Sequence, residues 1–117
     1  MYFYWNACRG DEWAGELIAY RGDDEWTLES LFVENQFRGQ GLGTCLLYTL
    51  SNYIHEQQDS LTMVTWTDAS DRCFHPDNIY LKVGAIYVDD GEMIWNTRNI
   101  GVQSIISHFS ITGPMNR

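Results

Sequence analysis

Three glycines at alternate positions are the residues of this chain best suited to chemistry. Arg38–Gly43 reads RGQGLG and lies between an apolar segment and a run with helical spacing. The first four N–H groups of a helix have no partner within the helix. Glycine adds no Cβ there and tolerates positive φ, and the helix dipole adds roughly half a positive charge. The pattern therefore predicts an anion site, with phosphate or pyrophosphate as its ligand.

Two widespread phosphate-binding loops do not fit this segment. A P-loop requires Lys and then Ser or Thr after its last glycine, whereas Thr44 and Cys45 follow Gly43. The dinucleotide fingerprint G-x-G-x-x-G requires a glycine three residues after Gly41, where Thr44 stands. The remaining pattern is R-x-x-G-x-G. Its alternative interpretation is a turn that only connects a strand to a helix.

The elements before this loop read as three antiparallel strands. Tyr2–Cys8 and Trp13–Tyr20 are strand-like and flank a polar turn, and Gly22–Glu25 supplies a second turn before a third strand. Strict alternation on the third strand places Glu29 on the same face as Val33. The pattern predicts a β-meander that ends at the glycine loop.

After the loop, the spacing predicts a helix, a strand and a hairpin. Apolar residues within Gly41–Gln57 recur at helical spacing, and Leu61–Trp66 is the next strand. This strand–helix–strand order predicts a crossover between parallel strands. Pro76 begins a short helix through Val83, and Ala85–Val88 with Met93–Thr97 form a C-terminal hairpin. The predicted class is α/β (α+β), with a mixed sheet.

The last twenty residues are treated apart from the single domain predicted for residues 1–97. Val102, Ile105, Ile106 and Phe109 repeat at helical spacing before Gly113 and Pro114 end the pattern. We expect a helix in this tail, residues 98–117, packed on the same domain or at a dimer interface. A strand is the alternative, because the apolar residues of this tail are also β-formers.

Two motifs in the expected order resemble the GNAT superfamily of acetyl-CoA-dependent N-acetyltransferases. The R-x-x-G-x-G loop with its flanking apolar residues is similar to motif A of that family. Asn78–Gly84 reads NIYLKVG and is similar to the later Y-x-K-x-G signature, with Tyr80, Lys82 and Gly84 at its three named positions. The resemblance covers about residues 13 to 97. Most members place one strand and two helices before the meander, and we expect this chain to lack them.

The resemblance implies acetyl-CoA as cosubstrate and no metal. The backbone amides from Gln40 to Thr44, with the Arg38 side chain, would hold the pyrophosphate, and the Val33 N–H would face the thioester oxygen. Cys73 stands where the family often has Asn, which puts that contact in doubt. The cofactor-binding positions are Phe32, Val33, Arg38, Gly39, Gln40, Gly41, Leu42, Gly43, Thr44 and Cys73.

Two side chains are candidates for proton transfer. Tyr80 matches the family tyrosine that protonates the departing thiolate, with core packing as its alternative. Glu29 is the candidate base because of its predicted strand face, and a solvent-exposed strand glutamate is the alternative. His75 is a weaker rival for either role.

Composition narrows the range of partners. The formal charge of −9 argues against nucleic acid and favours a cationic amine acceptor, most readily a protein lysine, although acidic clusters also serve solubility. Three cysteines without C-x-x-C spacing indicate reduced thiols, and no segment is apolar enough to span a membrane, so a cytoplasmic location is expected. A homodimer is possible, and the alternative function is a non-catalytic coenzyme A-binding or protein-interaction module.

Overall fold

Seven strands form one mixed sheet in a computed structural model that describes residues 1–23, 25–57, 62–66, 86–89, 92–96 and 108–116. The strands are β1 (Tyr2–Arg9), β2 (Glu12–Arg21), β3 (Trp26–Val33), β4 (Thr62–Trp66), β5 (Ile86–Asp89), β6 (Glu92–Asn96) and β7 (Ser110–Asn116), and the α-helix is α1 (Leu42–Glu56). The order across the sheet is β5-β6-β4-β3-β2-β1-β7.

The predicted meander is confirmed. β1 pairs antiparallel with β2, and β2 pairs antiparallel with β3. Alternation buries Phe3, Trp5 and Ala7 of β1 on one face, opposite Ala19 and Leu17 of β2. Because successive side chains of a strand point to opposite faces, this pattern leaves one apolar face for a helix to cover.

The predicted helix is also confirmed, and it covers that apolar face. Gly41 caps its N-terminus and Gln57 its C-terminus, which match the limits expected from the spacing. The Tyr53 ring of α1 lies among three strand aromatics, with centroids 5.7 Å from Phe3, 5.6 Å from Trp5 and 6.1 Å from Trp26. The helix side chains that are buried in this core are Leu42, Leu46, Leu47, Leu50 and Ile54.

The crossover after α1 and the C-terminal hairpin agree with the predictions. β4 pairs parallel with β3, as a strand–helix–strand unit requires. β5 and β6 form an antiparallel hairpin, and β6 lies beside β4. The structure is therefore the mixed α+β sheet that the sequence predicts.

The end of the tail differs from the predicted helix. Ser110–Asn116 is strand β7, which pairs antiparallel with β1 at the edge of the sheet. Phe109 is not helical, and its ring packs edge-on against Phe37 at 5.7 Å. The other apolar positions of the predicted tail helix, within 98–107, lie outside the described residues. The domain division at residue 97 stays a prediction.

Gly113 and Pro114 lie inside β7 instead of ending a pattern. Tyr4 pairs with Met115 and Asn6 with Thr112, so Gly113 and Pro114 lie at an irregularity of the β1–β7 ladder. Proline is tolerated at such a place on an edge strand. Gly113 has φ 135°, and a Cβ on it would lie 2.6 Å from the Tyr4 carbonyl oxygen. Close backbone approach therefore requires glycine at this position.

Candidate functional site

The loop between β3 and α1 is anchored at both ends and exposed in the middle. The Glu34 N–H donates to the Ala14 carbonyl at 2.8 Å, and the Phe37 N–H donates to the Glu34 carbonyl at 2.9 Å across a short 3₁₀ turn. Phe37 and Leu42 are buried, whereas residues 38–41 between them are exposed. The core thus holds both ends of the glycine segment while its backbone faces outward.

Two glycines of this segment adopt a left-handed backbone. Gly39 has φ +78° and Gly41 has φ +81°, a region that other residues enter only with strain. A Cβ added at either glycine would meet no atom of the described residues within 4 Å. Crowding by the protein therefore does not explain these glycines, and the open space beside them suits a ligand that approaches the backbone closely.

The start of α1 offers backbone donors to that space. The Cys45 N–H donates to the Gly41 carbonyl at 3.0 Å, which is the first hydrogen bond of the helix. In the described part of the chain, the amides of residues 39–44 have no hydrogen-bond acceptor. Together with the positive end of the helix dipole, they form an anion-binding arrangement.

Arg38 joins the loop to the end of β3. Its Nε donates to the Val33 carbonyl oxygen at 3.0 Å, and within the described residues this leaves four of the five guanidinium donors for other partners. The side chain is exposed. Arg38 directly precedes the glycine segment and adds one positive charge to it, and its role at a pyrophosphate stays a prediction.

Val33 presents its own amide to the edge of β3 that faces away from β2. Val33 pairs with Gly15, and the bond from the Glu34 N–H to the Ala14 carbonyl flanks this pair. Antiparallel pairs alternate between hydrogen-bonded and non-hydrogen-bonded types, so the Val33 N–H points away from β2. On that side, the ladder between β3 and β4 ends at Leu28 and Thr65 within the described residues. The Val33 amide therefore points to the β4 side of β3, five residues beyond the last described β3–β4 pair.

Glu29 does not lie where strict alternation placed it. The β2–β3 register shifts between Ile18 and Ala19, whose partners are Ser30 and Leu28, so Glu29 is the extra residue of a bulge. Leu28 and Val33 consequently share the core side, and Glu29 is exposed. The expected alternation with Val33 is wrong, because the bulge interrupts it. The role of Glu29 as base stays a prediction.

The face of the meander opposite α1 carries an exposed aromatic pair. Trp13 and Phe32 stack with centroids 5.7 Å apart and an interplanar angle of 15°, and they are 40% and 38% exposed. The Trp13 Nε1–H donates to the Asn6 side-chain oxygen at 3.0 Å. Glu16 lies directly opposite Phe32 in the β2–β3 register. Of these three residues, only Phe32 is a predicted site residue, because the pairing of the strands is what brings Trp13 and Glu16 beside it.

Several predicted residues lie outside the described part of the chain. These include Tyr80, Cys73 and His75, together with the rest of the Asn78–Gly84 motif, and their roles stay predictions. The described ranges contain no group of three or more His, Cys, Asp or Glu side chains arranged to hold a metal ion. In the same ranges no helix is long and apolar enough to cross a membrane.

The chain belongs to the Acetyltransferase (GNAT) family, whose model matches residues 1–78. This match includes the meander, the glycine loop and α1. It confirms the family that the two motifs indicated. No curated protein sequence matches the chain significantly.

Three solved structures illustrate the similarity. The ribosomal-protein-S18-alanine N-acetyltransferase from Escherichia coli is 22% identical, with TM-score 0.63 over 74% of this chain and 63% of that one. An aminoglycoside 6′-acetyltransferase type Ii is 29% identical, with TM-score 0.54 over 73% and 60%. The AtaT Y144F mutant toxin, bound to the C-terminus of the antitoxin AtaR and acetyl-CoA, is 13% identical, with TM-score 0.59 over 76% and 64%. This chain thus spans less than two thirds of the length of each.

Proposed function

We propose that the protein transfers an acetyl group from acetyl-CoA to a primary amine, by direct attack in a ternary complex. The observation that carries the proposal is the row of amides at the start of α1 that have no acceptor among the described residues, beside two left-handed glycines with open space in the same part of the chain. These features lie inside the segment that matches the family.

The residues at the loop fit the phosphate groups of acetyl-CoA. Backbone amides from Gln40 to Thr44 would donate to pyrophosphate oxygens, and Arg38 would add a positive charge. The Val33 amide would donate to the thioester carbonyl oxygen, because its N–H points away from β2 and is not used in the β2–β3 pairing. Polarising that carbonyl stabilises the negative charge that develops during attack. The structure of the similar AtaT Y144F toxin with acetyl-CoA supports this choice of cosubstrate.

Transfer requires two proton movements, which we assign to Glu29 and Tyr80. A free lysine amine, with a pKa of about 10.4, is neutral in roughly one molecule in 2,500 at pH 7, equivalent to about 4.6 kcal/mol. Glu29, directly or through water, would accept the amine proton. The amine nitrogen forms a bond to the thioester carbon, the carbon–sulfur bond breaks, and Tyr80 would protonate the departing thiolate.

A cationic acceptor fits the exposed sheet face beside the end of β3. Trp13 and Phe32 offer aromatic surface for cation–π contact, and the Glu16 carboxylate lies across from Phe32. The formal charge of −9 favours the same sign of partner. A lysine on a protein is the acceptor that we propose. Two similar proteins support an amine acceptor by name, as N-acetyltransferases of a ribosomal-protein alanine and of an aminoglycoside.

A second candidate function is a non-catalytic module that binds coenzyme A or a protein partner. It is favoured by the exposed apolar side chains on the sheet face opposite α1. Exposed apolar surface often marks a protein-interaction site. The large exposed side chains of this face are Tyr2, Trp13, Phe32 and Met115.

One experiment separates these functions. The purified protein would be incubated with isotopically labelled acetyl-CoA and a heat-treated cell lysate, and labelled amines would be located by mass spectrometry. A parallel reaction with Gly41→Asp, which adds a negative charge at the loop, controls for spontaneous acetylation. Label on lysines with the parent protein only would support the enzyme. Equal labelling with both proteins would refute it.

A further inference from the structure

The turn between β1 and β2 reaches the glycine loop through a short series of hydrogen bonds. Arg9, the last residue of β1, donates from its Nη1 to the Gln40 side-chain oxygen at 3.2 Å. The Gln40 Nε2 lies 3.5 Å from the Gln36 carbonyl oxygen, and the Gln36 Nε2 donates to Glu12 Oε2 at 2.8 Å. Arg9 and Glu12 are partners in the β1–β2 register, so both sides of this turn contact the loop.

Most N–H donors of the Arg9 guanidinium are not used in the described hydrogen bonds. It carries five N–H groups, and the described contacts use one of them. Within the described part of the chain, no ion pair involves this side chain, because Glu12 directs its carboxylate to Gln36. Arg9 is exposed, as are Gln40 and Gly41. A positive charge is thus held against a residue whose own backbone amide belongs to the anion site.

We propose that Arg9 is a second cationic residue of this site and binds a phosphate group of coenzyme A, with Gln40 positioning its guanidinium. The inference rests on the proposed function, because it assumes that coenzyme A occupies the loop. Arg38 is tied to the Val33 carbonyl on the β3 side of the loop, and Arg9 approaches from the β1–β2 turn. Two guanidinium groups from different elements would therefore flank the phosphates, a geometry that suits the forked donors of arginine.

The sequence offers a matched control for the charge of Arg9. Arg21 is the last residue of β2, and Arg9 lies beside the start of that strand. Nine residue steps of about 3.3 Å place Arg21 roughly 30 Å from Arg9, far beyond the screening length of about 8 Å at physiological salt. Arg9→Gln and Arg21→Gln lower the net charge equally, at opposite ends of the strand.

The test is the dissociation constant of coenzyme A, measured by calorimetry for the parent protein, Arg9→Gln, Arg9→Lys and Arg21→Gln. We expect Arg9→Gln to weaken binding about tenfold, Arg9→Lys to recover most of the loss, and Arg21→Gln to change it less than twofold. Equal constants for Arg9→Gln and Arg21→Gln would overturn the proposal. So would Arg9→Lys as weak as Arg9→Gln, since charge would then not matter.

Two further ligands identify the phosphate and separate this inference from the proposed function. Dephospho-coenzyme A lacks the 3′-phosphate. If Arg9→Gln weakens the binding of this ligand as much as it weakens the binding of coenzyme A, Arg9 contacts the pyrophosphate. If Arg9→Gln does not change the affinity for dephospho-coenzyme A, Arg9 contacts the 3′-phosphate. Pantetheine has no phosphate, and an equal penalty with it would refute phosphate binding by Arg9. If the parent protein does not bind coenzyme A at all, the proposed function itself fails.

Discussion

Replacing Gly41 with alanine tests the anion site most directly. At φ +81° a residue with a Cβ is strained by about 1–2 kcal/mol. For a chain of this size, that cost lowers the melting temperature by roughly 4–10 °C. The added methyl would also enter the open space beside the loop, where it blocks close approach of a phosphate oxygen. Losing one charge-assisted hydrogen bond of about 1.5–3 kcal/mol would raise the Kd of coenzyme A about 10- to 150-fold.

Gly10 provides the control for backbone strain. It lies in the β1–β2 turn with φ +60°, and an added Cβ there also meets none of the described residues within 4 Å. Gly10→Ala should therefore lower the melting temperature by a similar amount. It should leave the Kd of coenzyme A within about twofold of the parent value, because its amide does not belong to the start of α1.

The assay is isothermal calorimetry with coenzyme A, at a temperature where thermal denaturation of each protein shows both variants to be folded. Both variants carry the same kind of backbone strain, but only Gly41→Ala changes a residue at the proposed ligand site. The comparison therefore separates the effect of strain from the effect on ligand contact. Equal Kd values for Gly41→Ala and Gly10→Ala would refute the placement of phosphate at this loop. A lower melting temperature alone would not support it.

Three further predictions address catalysis, packing and acceptor binding. Tyr80→Phe should lower kcat about 100-fold with little change in coenzyme affinity, as expected for loss of a general acid, whereas full kcat with a lower melting temperature would make Tyr80 structural. Gly113→Ala should destabilise the protein by about 1–3 kcal/mol in chemical denaturation, because its Cβ would meet the Tyr4 carbonyl at 2.6 Å, and an unchanged midpoint would contradict the close approach. With acetyl-CoA saturating, kcat/KM for a lysine peptide should fall as ionic strength rises, and Glu16→Gln should flatten that dependence; a flat profile for the parent protein would return the acidic residues to a role in solubility.

Local patterns in the sequence predicted most of the described fold. The three strands of the meander, the limits of α1 and the C-terminal hairpin were all predicted close to where they lie. Each depends on signals within about ten residues, such as alternation, helical spacing or a turn cluster. The position of the glycine loop belongs to the same group, because three glycines beside a helix start can be read from consecutive residues.

Other features were missed because they depend on neighbours that are distant in the chain. The bulge at Glu29 appears only in the register of β3 against β2, and alternation within one strand gives no sign of it. β7 pairs with β1 at the sheet edge. In the sequence, Gly113 and Pro114 indicate the end of an element, but the irregular β1–β7 ladder accommodates both inside the strand. For both features, the sequence signal was opposite to the observed geometry.

The sequence by itself determined the family and the position of the glycine loop, since both depend on motifs of a few consecutive residues. Only the tertiary structure decided what surrounds that loop. Arg9 and Gln40 are 31 positions apart, and they meet because two antiparallel pairings place the β1–β2 turn at the same end of the sheet as the end of β3. Trp13 and Phe32 stack for the same reason, since strand register determines which side chains of neighbouring strands become adjacent.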